Sequence, residues 1–247
     1  MIEDYTKYDF TKKEHIQYFM IGFVISAIIA YLFYNSIIAI VFFLPLSFVY
    51  KNNKKKSLAE GRKWKLNLEF RDCMLSISAA LNAGYSIENA FNEALEEMKQ
   101  LHFSESFIIP ELEFINSQLY LNKNIEELLV DFARRSGVDD ISSFAEVFSI
   151  TKRSGGDMIR IISMCCKNIG GKIEVKREIL TLIAAKKFEA RIMNFIPFCI
   201  ILYLWVFSPG FLDPVYHNLI GILFMSVVLL SYYVAFRLSE KIIHIEI

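Results

Sequence analysis

Three long stretches of the sequence contain no Asp, Glu, Lys or Arg, and they constrain the fold more than any other feature. They are residues 16–50 (35 residues), 192–212 (21 residues) and 214–236 (23 residues). A bilayer core of about 30 Å takes about 20 helical residues per crossing, so each stretch is long enough to cross a membrane. The sequence therefore predicts an integral membrane protein.

The first stretch is long enough to hold two crossings. As one straight helix it would extend about 52 Å, well beyond a bilayer core. Asn35 and Ser36 are the polar pair at its middle, so we expect helices over 16–34 and 37–50. The second is only about 21 Å long and contains Pro45, so it requires snorkelling of Lys51 or local bilayer thinning. The stretch is too long for a signal-peptide core and lacks an Ala-x-Ala site, so we expect it to be retained.

A second pair of spans is predicted near the other end of the chain. Residues 192–208 form the third predicted span, with Pro197 inside it as a probable site of kinking. Proline and glycine between residues 208 and 214 then predict a turn, and the fourth span follows over about 218–236.

The charges are segregated along the chain although their sum is zero. Residues 51–65 hold seven Lys or Arg and one Glu, whereas residues 66–185 hold 12 basic and 18 acidic side chains. The two predicted turns, 35–36 and 208–218, have no Lys or Arg. The positive-inside rule therefore predicts that both termini and residues 51–191 are cytoplasmic. A net charge of zero also argues against a nucleic-acid partner.

The predicted fold class is all-α: two transmembrane helical hairpins flank one cytoplasmic six-helix bundle. The predicted parts are a cytoplasmic N-terminal segment (1–15), transmembrane helices 1 and 2 (16–50), a basic juxtamembrane linker (51–65), the bundle (66–191), transmembrane helices 3 and 4 (192–236) and a cytoplasmic tail (237–247).

Local signals predict where the bundle helices begin and end. Gly84 ends the first helix, and Ser86 is a plausible N-cap for the second. The third covers about 104–121 and Asn124 caps the fourth, which ends before Gly137. The fifth helix begins at Asp139 or Asp140 and ends at Gly155 and Gly156. The sixth helix begins at Asp157, and Gly170 and Gly171 interrupt this sixth helix.

The sequence contains no constellation that predicts an enzyme. It has no P-loop, its four histidines are isolated, and nothing predicts a metal or cofactor site. The four cysteines form no C-x-x-C pair, which favours buried thiols in a reducing compartment. The predicted spans also lack a central charged residue of the kind that transporters usually need. We expect a protein that is not an enzyme.

An acidic run and a basic cluster are the two candidate interaction surfaces. Seven Glu and one Lys lie between residues 84 and 113. The acidic side chains form either a solvated helix face or a docking surface for a basic partner. The residues of that docking surface would be Glu88, Glu93, Glu96 and Glu97. The preferred interpretation of the basic cluster at 51–65 is that it sets the membrane orientation beside anionic lipid head groups. The alternative is that it binds a partner.

The order of several short segments resembles a known family. The segments are LNAGYSIENA (81–90), IEELL (125–129), FARR (132–135) and KRSGGDM (152–158), followed by a long helix that enters the membrane near Pro197. Together they resemble the F domain of type II secretion and type IV pilus platform proteins over about residues 66–200. The layout is similar to the Tad/Flp pilus branch (TadB and TadC type). Where the family usually has Gly before Ile125, this chain has Asn122 or Asn124, and Asn tolerates a left-handed backbone.

The resemblance implies a function and a set of partners. It implies an inner-membrane platform protein that couples a cytoplasmic secretion ATPase to the assembly of pilin or pseudopilin subunits. It also implies pairing with a second copy or a sister platform subunit, and contact with membrane lipids. The structural positions that it implies are Gly84, Ser86, Gly155, Gly156, Asp157 and Pro197. Gly170 and Gly171 would be either a hinge or a site of close packing. A small multi-span transporter, or a membrane scaffold or sensor with a helical cytoplasmic domain, remains the alternative.

Overall fold

The computed structural model describes residues 4–5, 10–102, 106–154, 157–216 and 218–243. Within these residues the chain forms helices and turns and no strand, which confirms the all-α prediction. The helices are α1 (Lys12–Tyr34), α2 (Ile37–Asn82), α3 (Ile87–Leu101), α4 (Ile108–Tyr120), α5 (Ile125–Ser136), α6 (Asp139–Ser154), α7 (Met158–Phe207), α8 (Asp213–Tyr216) and α9 (Leu219–Ile243).

The chain divides into two compact units. The core unit comprises Met1–Asp9 and Lys55–Val175, and the apolar unit comprises Phe10–Lys54 and Lys176–Ile247. Helices α2 and α7 each contribute residues to both units. Residues 51–65, predicted as a basic juxtamembrane linker, lie within the continuous helix α2.

The turn between α2 and α3 forms where the sequence predicts it. Gly84 has a φ of 90°, in the left-handed region that glycine adopts without a Cβ clash. The Ser86 hydroxyl then accepts a hydrogen bond from the Asn89 backbone N–H at 3.3 Å, so Ser86 is the N-cap of α3. Both predictions are confirmed.

The ends of α4, α5 and α7 follow the same local rules. Asn122 has a φ of 58°, so Asn122 takes the left-handed position of the turn before α5. The Asn124 side chain accepts a hydrogen bond from the Glu126 N–H at 3.2 Å and caps α5. Gly137 ends α5 with a φ of 56°. At the start of α7, the Asp157 carboxylate accepts a hydrogen bond from the Arg160 backbone N–H at 3.1 Å.

One hydrophobic core holds the core unit together. Phe70 of α2 packs against Phe132 of α5 and Phe144 of α6, with ring centroids 6.2 and 5.6 Å apart. Side chains of α3, α4 and α7 are buried in the same core, among them Phe91, Leu112 and Ile162. Six helical segments therefore contribute to one core, because each buries the apolar side of an amphipathic helix.

Helix α7 corrects one prediction. It is continuous from Met158 to Phe207, so the predicted interruption at Gly170 and Gly171 is wrong. Two glycines lower helix propensity by about 1 kcal/mol each. Ile169 and Ile173 flank the pair and are buried in the hydrophobic core, and this packing outweighs the local preference.

In the apolar unit, α1 packs closely against the first part of α2. Its buried residues Gly22, Ser26 and Ala30 recur every four residues and form a small-residue stripe. A Cβ on Gly22 would lie 3.0 Å from the Cα of Ser47. The Ser26 hydroxyl donates to the Gly22 carbonyl at 2.9 Å, so this buried polar group is satisfied within its own helix.

Helix α9 also contacts α1 in the apolar unit. The Tyr34 and Ser226 hydroxyls are 2.8 Å apart and share a hydrogen bond. The Tyr216 hydroxyl donates to the Leu32 carbonyl at 2.7 Å, which ties the turn containing α8 to the end of α1.

Three helices in the described part of the chain are long and apolar enough to cross a membrane. They are α1, α7 and α9, and they indicate a membrane protein. Helix α2 is not among them. Its charge-free residues 37–50 reach only about 21 Å against a bilayer core of about 30 Å. The predicted second span, 37–50, therefore stays a prediction.

Candidate functional site

Helix α3 carries the candidate partner surface on its outer side. Its buried side is apolar and consists of Ala90, Phe91, Ala94, Leu95 and Met98. The four predicted surface residues, Glu88, Glu93, Glu96 and Glu97, are all exposed. We call these four residues the acidic surface.

Two members of the acidic surface have partners within the chain. Glu96 accepts a hydrogen bond from the Lys99 ammonium at 3.2 Å, and the pKa of Lys99 is raised chiefly by that bond. Lys99 also lies 3.5 Å from Glu113 of α4. Glu97 accepts a hydrogen bond from the Ser76 hydroxyl of α2.

Glu88 and Glu93 are the members available to another molecule. Among the described residues, neither makes a side-chain hydrogen bond or an ion pair. Exposed carboxylates without a buried or hydrogen-bonded partner are suited to electrostatic contact with a cationic surface rather than to proton transfer. In the described part of the chain, no three His, Cys, Asp or Glu residues are grouped so that they could hold a metal ion.

A buried ion pair fixes α4 against α5. The Arg135 guanidinium donates to both carboxylate oxygens of Glu111, each at 2.7 Å, and Glu111 is completely buried. Asp131 accepts a third hydrogen bond from Arg135 at 2.8 Å. Burial disfavours the charged guanidinium, but its bonds to Glu111 and Asp131 outweigh burial and raise the pKa of Arg135. The bond from Arg135 in turn lowers the pKa of Asp131.

Glu69 of α2 positions the start of α4. Its Oε2 atom accepts hydrogen bonds from the N–H groups of Phe107 and Ile108 at 2.7 and 3.0 Å, and from the Ser106 hydroxyl at 3.1 Å. These are the unpaired N–H groups of a helix N-terminus, where a negative charge is favourable. The sequence analysis identified neither this cap nor the burial of Glu111.

Tyr5 attaches the N-terminal segment to the core unit. Its N–H donates to the Arg135 carbonyl at 3.0 Å, and its hydroxyl donates to the Phe107 carbonyl at 3.2 Å. The ring is 3% exposed and packs edge-on against Phe107 with centroids 5.9 Å apart. The sequence analysis treated 1–15 only as a cytoplasmic segment and gave no signal for this contact.

Four of the six positions implied by the resemblance lie in the described residues, and they belong to separate elements. Gly84 and Ser86 form the turn that begins α3, next to the acidic surface. Asp157 caps α7, and Pro197 lies inside α7. Gly155 and Gly156 lie outside the described residues.

Pro197 lies at a point where α7 receives an additional hydrogen bond. Proline cannot donate to the carbonyl four residues earlier, so it leaves the helix one bond short near Met193. The Tyr232 hydroxyl of α9 donates to the adjacent carbonyl, that of Asn194, at 3.0 Å. This bond links α9 to α7 beside the proline, but it goes to the Asn194 carbonyl and not to the carbonyl of Met193 that the proline leaves free.

The cysteines differ in burial from the prediction. Cys73 and Cys166 are buried, Cys165 is half-buried and Cys199 is exposed, and all four are free. Burial raises the pKa of the Cys73 thiol, which disfavours the reactive thiolate.

Comparison of the chain with known protein families, curated proteins and solved structures finds no match.

Proposed function

We propose that the chain is an inner-membrane platform protein of a type II secretion or Tad/Flp-like pilus machine. In this role it would couple a cytoplasmic secretion ATPase to the assembly of pilin or pseudopilin subunits. The observation that carries the proposal is the order of turns and caps in the core unit. Gly84, Ser86, Asn122 and Asp157 act as turn or cap residues within the segments that resemble the F domain.

The placement of Tyr5 supports the two-hairpin topology that the proposal requires. Tyr5 is buried in the same core as Leu66 and Phe70, which follow the predicted membrane segment 16–50. Residues packed in one core lie on one side of a membrane, so the chain between Tyr5 and Leu66 must cross an even number of times. Two crossings, by α1 and by residues 37–50, satisfy this condition.

The continuity of α7 supports a role in transmitting motion. From Met158 to Ile196, before Pro197, α7 contains no proline, and a helix with unbroken backbone hydrogen bonds moves as a semi-rigid rod. Helix α7 contributes Ile162, Ile169 and Ile173 to the hydrophobic core and continues into the apolar residues 192–207. A force applied by an ATPase to the core unit would thus reach the membrane segment along one element.

The acidic surface is the part of the core unit that we assign to the ATPase. Glu88 and Glu93 project from a helix whose other side is buried, so a partner could approach them without unfolding the chain. A patch of one charge steers a partner of opposite charge and excludes partners of like charge. A second copy or a sister platform subunit would complete the machine, as the resemblance implies.

Charge reversal at the two available carboxylates tests the assignment. The variant Glu88→Lys/Glu93→Lys of the full chain, purified in detergent, is tested for capture of the cognate secretion ATPase. We expect capture to fall about tenfold, because like charges would then meet across the interface. The matched control is Glu146→Lys, which reverses an exposed carboxylate on α6.

The control separates a specific surface from general electrostatics. Equal loss of capture in Glu146→Lys would mean that net charge, not α3, decides binding. Unchanged capture by Glu88→Lys/Glu93→Lys, with helical circular dichroism intact, would contradict the assignment of the acidic surface.

A further inference from the structure

A groove of about 630 Å³ lies between α7 and α9 in the apolar unit. Most of its lining surface is apolar, although five of its eleven lining residues carry polar or charged groups. The lining residues are Ile183, Lys186, Glu189, Ala190, Met193, Asn194, Pro197, Tyr232, Ala235, Ser239 and Ile242.

The groove straddles the boundary between charged and uncharged sequence on both helices. On α7, Arg191 is the last charged residue before the apolar segment, and on α9, Arg237 is the first one after it. Lys186 and Ser239 therefore lie on the charged side of the boundary, while Pro197 and Tyr232 lie on the apolar side. This is the level at which a membrane changes from head groups to acyl chains.

The surroundings of the groove are positively charged. Residues 183–200 and 230–243 hold five basic side chains, Lys186, Lys187, Arg191, Arg237 and Lys241, against Glu189 and Glu240. Lys186 pairs with Glu189 at 2.9 Å, and both side chains remain largely exposed. An anionic group entering the groove would therefore meet a net positive field and an accessible ammonium group.

The groove also offers one polar group on its apolar side. The Asn194 side chain is half-buried and, among the described residues, makes no side-chain hydrogen bond. The Tyr232 hydroxyl opposite is already bonded to the Asn194 carbonyl. A ligand that is apolar but carries an ester or hydroxyl near its polar end would satisfy the Asn194 amide.

We propose that this groove binds one anionic membrane phospholipid. Its phosphate would lie by Lys186 and Ser239, its ester region by Asn194, and one acyl chain along Met193, Pro197 and Ala235. Basic pockets between transmembrane helices at the cytoplasmic side bind anionic head groups in this manner.

The length of the groove fits the polar end and part of one acyl chain of a lipid. From Lys186 to Pro197 the groove follows α7 for about 16 Å. Pockets for small amphipathic ligands measure about 300 to 1,000 Å³.

Native mass spectrometry of the full chain in detergent tests the proposal. Phosphatidylglycerol and phosphatidylcholine with identical acyl chains are titrated separately onto the wild type, Lys186→Gln, Glu189→Gln and Ala235→Trp. We expect the wild type to prefer phosphatidylglycerol, and Lys186→Gln to lower its affinity about fivefold, as loss of one cation near an anionic head group predicts. Glu189→Gln should keep or raise the affinity, because it removes the competing carboxylate. Ala235→Trp should abolish binding by filling the groove.

The control for the filled groove is Leu230→Trp, which places the same indole at an exposed position of α9 outside the lining. Gel filtration and helical circular dichroism confirm that each variant is folded. Equal binding of the two lipids, or unchanged phosphatidylglycerol binding in both Lys186→Gln and Ala235→Trp, would overturn the proposal. Cross-linking of an apolar pilin helix to position 235 that added phosphatidylglycerol does not reduce would also overturn it and make the groove a protein-binding site.

Discussion

At the residue scale, the pair formed by Glu111 and Arg135 is the most enclosed charge contact described in the core unit. Glu111 has no exposed surface and the Arg135 side chain is 15% exposed. Removal of one partner of a buried pair leaves an uncompensated charge, which costs about 3 to 5 kcal/mol, whereas removal of both is often neutral. The pair therefore stabilises the packing of α4 against α5, because breaking it would leave one charge buried without its partner.

We expect Glu111→Leu to lower the free energy of unfolding by about 3 kcal/mol, because Arg135 would keep only Asp131 as a partner. The double variant Glu111→Leu/Arg135→Met should recover most of that loss, since no buried charge remains. Thermal and urea unfolding of the detergent-purified chain measure both. A double variant no more stable than Glu111→Leu would contradict this account.

The same residues mark the limit of prediction from sequence. The caps at Ser86 and Asn124 were predictable because each bonds to a backbone N–H two or three residues ahead. Glu69 bonds to N–H groups 38 and 39 residues away, and Glu111 to a guanidinium 24 residues away. Such contacts depend on how helices pack, so sequence placed Glu111 in an acidic run without indicating its burial.

At the scale of elements, α1 and α7 each show how a local sequence signal for a helix end compares with the pattern of the surrounding chain. Helix α1 begins at Lys12, four residues before the charge-free stretch, because Thr11 and Glu14 form a capping box. The loss of charge marks where the membrane segment starts, whereas the cap marks where the helix starts. In α7 the local signal does not decide the structure, because the core contacts of Ile169 and Ile173 keep the helix continuous through the glycine pair.

The glycine pair allows a test of helix α7 itself. A Cβ on Gly171 would meet no atom within 4 Å, and one on Gly170 would lie 4.0 Å from Cδ of Arg71. Alanine therefore fits at both positions, and we expect Gly170→Ala/Gly171→Ala to raise the stability of the core unit by about 1 kcal/mol per site.

Unfolding of this double variant by urea measures the change, and pilus assembly or secretion by cells that carry it tests the hinge. Normal assembly together with higher stability would favour a rigid α7. Loss of assembly in a more stable protein would indicate that the pair must bend. Lower stability would contradict the available space at both sites.

At the scale of the whole molecule, the charge distribution and the burial of Tyr5 both favour the predicted four membrane crossings. Three apolar helices alone would be an odd number of crossings. If residues 37–50 did not cross, the basic cluster 51–65 would lie on the opposite side from Tyr5, although Tyr5 and Leu66 are buried in one core. The close contact of Gly22 with Ser47 also supplies the partner that a short membrane helix needs. Four crossings therefore agree with both observations.

Reporter insertions at three turns distinguish four crossings from three. Alkaline phosphatase, which is active only outside the cytoplasm, is inserted after Ser36, after Lys123 or after Gly210, and a cytoplasmic fluorescent reporter is placed at the same sites. Four crossings predict phosphatase activity after Ser36 and Gly210 and fluorescence after Lys123, because the first and third insertions fall in turns without Lys or Arg. Phosphatase activity after Lys123 would mean that residues 37–50 do not return the chain to the cytoplasm. It would also place Tyr5 and Arg135 on opposite sides of the membrane, which the hydrogen bond between the Tyr5 N–H and the Arg135 carbonyl does not allow.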